Sequence, residues 1–213
     1  MYLRKKLYLC RLLYAHIRNN NNPTQNNGQN IMASVTVNNR VFDEYVSKRE
    51  ISQCVARVAE QINKDYAGKN PLFICVLNGA FMYASDLFKK IMLPAEITFV
   101  RLKSYEGTQT TGEVKLLTPL SVDVANRDVI VIEDIVDTGL TMHGFVKHLR
   151  EQGANSVEIT SFLFKPDALQ YADAEPKYVG LSIPTKFVLG YGLDYDELGR
   201  NLPSLYVLRS SEV

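Results

Sequence analysis

The hydrophobic pattern becomes periodic at Ser47. In "SKREISQCVARVAEQINKDYAG", Ile51, Val55, Val58, Ala59 and Ile62 fall on one helical face, which predicts a helix over residues 47–67 that ends near Gly68. The pattern then switches. "PLFICVL", residues 71–77, is an unbroken apolar run of strand length, and after an Asn78-Gly79 turn "FMYASDLFKKI" returns to helical spacing. Further strands are predicted in "AEITFVRLKSY" (95–105), "DVIVIED" (128–134) and "SVEITSFLFK" (156–165). Between the last two, "LTMHGFVKHLREQG" reads as a helix closed by Gly153. Strands alternating with helices predict an α/β fold, a parallel central sheet flanked by helices and wound by right-handed crossovers. "KYVGLSIP", "KFVLGYGLDYDELGR" and "SLYVLRS" make a strand-rich end, about residues 177–213, expected to fold with the N-terminal strand region as a small hood.

One stretch breaks with this economy. In "VIVIEDIVDTGLT", four β-branched residues run into three acids, Glu133, Asp134 and Asp137, and then into a small-residue turn. Unit charges roughly 4 Å apart repel by about 1 to 4 kcal/mol at effective dielectrics of 80 down to 20, so the cluster does not serve stability. A cationic or hydroxylic partner is expected there. In open α/β sheets ligands bind outside the carboxyl ends of the strands, where Leu77-Asn78-Gly79, Glu133 to Thr141 and Lys165 all fall. Helix capping would account for Asp137 and a plain turn for Gly139, but not for three acids. The helix start after Asp137, with the hydroxyls of Thr138 and Thr141, suits a phosphate monoester.

Composition narrows the class. The 213 residues are 46% hydrophobic, enough for one sizeable core, and 24 basic residues nearly balance 23 acidic ones, which argues against a nucleic-acid binder. Three widely spaced cysteines, Cys10, Cys54 and Cys75, with no CxxC pair, support neither a disulfide framework nor a zinc site. They suit a reducing, cytoplasmic setting. His16, His143 and His148 have no metal-ligand spacing, and the latter two are read as structural. No apolar run reaches membrane-spanning length. The first 18 residues carry five basic and no acidic side chains and lead into "NNNNPTQNNGQN". Residues 1–31 are therefore expected to be a disordered extension, with a transit peptide as the alternative, and the domain to run from Met32 to residue 213.

The acidic stretch resembles the phosphoribosyl-pyrophosphate (PRPP) signature of type I phosphoribosyltransferases. "VLNGAFMYASDL", "RLKSYEGTQTTGEV", "FLFKP" and "KFVLGYGLDYDELGRNLPSLYVL" follow in the order that is similar to hypoxanthine phosphoribosyltransferases, over about residues 41–208. The resemblance implies Mg²⁺-dependent purine salvage: transfer of phosphoribosyl from PRPP to a 6-oxopurine, hypoxanthine and also guanine. It implies that Glu133 and Asp134 hold the ribose hydroxyls and a metal, and that Asp137 is the general base near purine N7. Asp137, Thr138, Gly139, Leu140 and Thr141 would hold the 5′-phosphate. Leu77, Asn78 and Gly79, with a cis peptide before Asn78, and Arg200 would face pyrophosphate. Some relatives carry lysine at the position of Asn78, so binding here would rest on the backbone. Ser104 and Tyr105 would belong to a lid. Lys165 would donate to the 6-oxo group, Phe187 stack on the base, Val188 read its edge by backbone, and Asp194 hold a second Mg²⁺. The family also implies a homodimer or homotetramer, with no membrane partner. The alternatives are a xanthine-preferring or pyrimidine transferase, or a regulatory nucleic-acid-binding protein on the same fold.

Overall fold

The computed structural model describes residues 33–104 and 114–209. The expected extension over residues 1–31 and the lid residue Tyr105 lie outside them. Two sheets form. Strands β3 (Leu72–Leu77), β4 (Glu96–Ser104), β5 (Val114–Leu116), β6 (Asp128–Val136), β7 (Ser156–Phe164) and β8 (Tyr178–Ser182) make a six-stranded sheet in the order β5-β4-β3-β6-β7-β8. Five of its strands are parallel, and β5 alone runs antiparallel, against β4. The second sheet is wholly antiparallel, with β1 (Ser34–Val37), β2 (Arg40–Val46), β10 (Leu205–Leu208) and β9 (Val188–Leu189) in the order β1-β2-β10-β9.

The unbroken apolar runs are explained by cover on both faces. Phe73, Cys75, Ile130 and Ile132 point into one core and Leu72, Ile74, Val129 and Val131 into another. Helices α1 (Lys48–Asp65) and α2 (Phe81–Phe88) cover the first face, α1 through Ile51, Val55, Val58 and Ile62. Helix α3 (Leu140–Glu151) covers the second through Met142, Phe145, Val146 and Leu149. Ser47 begins α1 with a capping box: its hydroxyl accepts from Glu50 N–H, and the Glu50 carboxylate accepts from Ser47 N–H. Cys54 and Cys75 are buried free thiols, and burial pushes the Cys75 thiol up to about 12, as for a small apolar side chain. No helix among the described residues is long and apolar enough to cross a membrane.

The boundary of the expected hood needs one correction. Residues 177–184 do not join it: β8 pairs in parallel with β7 and forms the far edge of the main sheet. The hood proper is β9, β10 and the β1–β2 hairpin, around Phe42, Leu189, Leu202 and Tyr206. The edge position accounts for the misreading. An edge strand alternates buried and half-exposed positions, as Tyr178, Val179, Gly180 and Leu181 do, and so resembles an antiparallel strand in sequence.

From β3 the chain steps to β4 on one side, while β6, β7 and β8 extend on the other. The strand order reverses between β3 and β6. That reversal opens a crevice at their carboxyl ends, which carry Asn78-Gly79 and the acidic stretch.

Candidate active site

The turn after β3 and the acids of β6 pack directly on each other. The peptide bond before Asn78 is cis, as expected. A Cβ added to Gly79 would lie 1.5 Å from Asp134 Oδ2, so only glycine lets the turn approach that carboxylate. From the hood, Gly192 closes on the same turn, where a Cβ would stand 2.0 Å from Gly79 O. Arg200 anchors this approach by donating from Nη1 to Gly192 O at 2.9 Å and from Nη2 to Asp194 Oδ1 at 2.8 Å. Asp194 Oδ2 accepts from Glu197 N–H at 2.9 Å. Asp134, Gly79, Gly192, Arg200 and Asp194 thus form one continuous chain of contacts between sheet and hood.

The electrostatics of the acid pair match its geometry. Burial, reinforced by the neighbouring Asp134 charge, holds Glu133 well above the ordinary carboxyl range. Burial raises Asp134 as well, opposed by backbone N–H groups and by the Arg200 charge. Glu133 Oε2 is buried with no hydrogen-bond partner, and so is Arg200 Nε. An orphaned acceptor beside a second acid, and an orphaned guanidinium N–H nearby, suit a ligand with hydroxyls or a cation on one side and an anion on the other. Hard oxygen donors of this kind fit Mg²⁺, which is commonly held by one or two carboxylates with substrate phosphates completing its shell. Among the described residues no group of three acids, histidines or cysteines could hold a metal by itself, so Glu133 and Asp134 on β6 and Asp194 in the hood do not form a shared cage.

Asp137 does not cap α3. The cap position is Gly139, in the left-handed region at φ 82°, with no side-chain cap bond, and Leu140 N–H reaches only Thr138 Oγ1 at 3.4 Å. The Asp137 carboxylate instead accepts from Lys165 Nζ at 2.7 Å, and the lysine is 9% exposed. This pairing joins the end of β6 to the residue after β7. Thr138, Gly139, Leu140 and Thr141 make the turn into α3, leaving first-turn N–H groups at its start.

The remaining expected residues lie in the hood or at the margin. Phe187 is 49% exposed, and its ring sits edge-on to Tyr195 at 5.6 Å and 6.2 Å from Phe42. Val188, beside it on β9, pairs with Val207. Ser104 ends β4 opposite Val114. Sequence reasoning did not single out Gly192, Tyr195 or Phe42. Gly192 lies inside "GYGLDY", but nothing in the sequence signals that its partner is Gly79, over a hundred residues away.

A family described as the phosphoribosyl transferase domain matches residues 42–196. A hypoxanthine-guanine phosphoribosyltransferase of Staphylococcus aureus (strain Mu50 / ATCC 700699) is 40% identical over 174 residues, which are 81% of this chain and 97% of that protein. A protein of the same name from Streptococcus thermophilus (strain CNRZ 1066) is 42% identical over 164 residues, 76% of this chain and 91% of its own. Among solved structures, a hypoxanthine-guanine phosphoribosyltransferase from Bacillus anthracis with a HEPES molecule in the active site is similar at a TM-score of 0.75 and 36% identity, covering 78% of this chain and 98% of that one.

Proposed function

The chain belongs to the phosphoribosyl transferase domain family, and we propose that it is a purine-salvage transferase moving 5-phosphoribosyl from PRPP to N9 of hypoxanthine and guanine, with release of pyrophosphate. The observation that carries the choice of base is the Lys165–Asp137 pair. It sets a donor and an acceptor 2.7 Å apart, 11% and 44% exposed as side chains. A 6-oxopurine presents the complementary edge, an acceptor at O6 beside a proton at N7. A 6-amino group in place of O6 would set a donor against the ammonium and leave a polar clash.

The other groups take roles that their surroundings support. Asp137 removes the N7 proton as N9 attacks C1′. Glu133 and Asp134 accept from the ribose hydroxyls, and their charge favours the cationic sugar that develops as pyrophosphate leaves. Thr138 to Thr141 hold the 5′-phosphate at the start of α3. Asn78, Gly79 and Arg200 face the leaving group, and Phe187 stacks on the base with Phe42 and Tyr195 behind it. Mg²⁺, bound through Glu133 and Asp134 and on the hood side near Asp194, would supply charge neutralisation for pyrophosphate.

Lys165→Gln tests the base assignment. The ratio of kcat/KM for hypoxanthine over adenine should fall by about 10-fold or more, because glutamine can accept from a 6-amino group as well as donate to a 6-oxo group, while PRPP affinity holds. An unchanged ratio would place the purine elsewhere. Gly79→Ala tests the turn. Its Cβ must displace the Asp134 carboxylate, so kcat/KM for PRPP should fall by about 10- to 100-fold in protein that remains folded by circular dichroism. Native kinetics in this variant would show that the close approach of Gly79 to Asp134 has no part in the reaction.

A further inference from the structure

The phosphate loop is held from outside its own motif. Gly139 lies so close to the segment after β7 that a Cβ would stand 2.9 Å from Leu169 Cδ1 and 2.9 Å from Ala174 Cβ. Gln170 N–H donates to Thr138 O at 2.9 Å. One turn into α3, His143 Nδ1 meets both carboxylate oxygens of Asp173, at 2.7 and 2.9 Å. The carboxylate can only accept, so Nδ1 carries the proton and donates. The same imidazole stacks on Tyr171, with centroids 4.6 Å apart and planes at 22°. His143 N–H donates to Gly139 O, so fixing the ring also fixes the first turn of α3 relative to the loop.

We propose that His143, Asp173 and Tyr171 are positioning residues for the 5′-phosphate of PRPP, clamping the start of α3 onto segment 169–174 so that residues 138–141 are set before the ligand arrives. The inference rests on the PRPP reading above and extends it to three residues outside the signature. A loop ordered in advance loses less conformational freedom on binding, so the clamp should appear as affinity for PRPP. It should not reach the base. Lys165 is fixed independently, by its N–H bond to Val136 O at 2.9 Å and by the Val136–Phe164 register of β6 and β7.

The test is calorimetric titration of PRPP with Mg²⁺ into the full chain and its Asp173→Ala and His143→Asn variants, with steady-state KM for PRPP and hypoxanthine. Asparagine places an amide near the position of Nδ1 and should restore the bond to Asp173. Asp173→Ala is expected to weaken PRPP binding and raise its KM by about fivefold or more, with KM for hypoxanthine within about twofold, and His143→Asn, which keeps the bond to Asp173 but loses the stack on Tyr171, to raise KM for PRPP by less than Asp173→Ala does. If Asp173→Ala does not fold, Tyr171→Leu, which removes the stack alone, is titrated in its place. Unchanged PRPP affinity in the clamp variant, or an equal rise in both KM values, overturns the inference. Failure of the unaltered chain to bind PRPP would instead overturn the activity reading, and the clamp with it.

Discussion

Asp137→Asn should lower kcat by about 10²-fold or more while leaving the fold and PRPP affinity near native. The substitution keeps size and an oxygen that accepts from Lys165, so the buried ammonium keeps a partner. No helix cap is lost, because Gly139 occupies that position without a side-chain bond. What disappears is the basicity proposed to take up the N7 proton. Steady-state kinetics and a PRPP titration, with circular dichroism on the same sample, separate these contributions. A near-native kcat would reduce Asp137 to a counter-ion for Lys165.

Glu133→Gln and Asp134→Asn should act in the opposite sense on stability and function. Each removes a charged acceptor proposed for a ribose hydroxyl, an interaction worth about 1.5 to 3 kcal/mol, so kcat/KM for PRPP should fall by about 10- to 100-fold. The folded chain should lose nothing. Burial raises both carboxyls above their ordinary values, so the folded form binds more protons than the unfolded form in that window, and stability falls as pH rises through it. An amide has no charge to desolvate. Melting temperature of the ligand-free Glu133→Gln protein at neutral pH should therefore equal or exceed that of the unaltered chain, with a weaker decline as pH rises above the ordinary carboxyl range. A lower melting temperature together with native PRPP kinetics would make the acid pair a structural feature.

Much of this was legible in sequence because two patterns coincide. Strands covered on both faces leave unbroken apolar runs, so 71–77 and 128–134 were visible as parallel strands, and the polar residues that interrupt them mark the strand ends where ligands bind. Reading Asp137 as more than a cap followed from three acids within five positions at the end of one strand. What was not legible depends on tertiary contact. The place of β8 was missed because an edge strand carries the alternation of an antiparallel one. The contact of Gly79 with Asp134 and Gly192, the salt bridge of Asp137 with Lys165, and the His143–Asp173 clamp join residues tens of positions apart, with no local pattern to announce them. His143 and His148 were both read as structural, and the contacts of His143 with Asp173 and Tyr171 are what carry the positioning role proposed for it.

The Lys165–Asp137 pair is proposed to read a 6-oxopurine beside a bound PRPP. The most direct measurement is nucleoside 5′-monophosphate formation by the purified chain with PRPP and Mg²⁺ against hypoxanthine, guanine, xanthine, adenine and uracil in parallel. Turnover of hypoxanthine and guanine, with adenine and uracil at least about 10²-fold lower in kcat/KM, is the expected result. Efficient transfer to adenine or uracil, with hypoxanthine left unreacted, would contradict it.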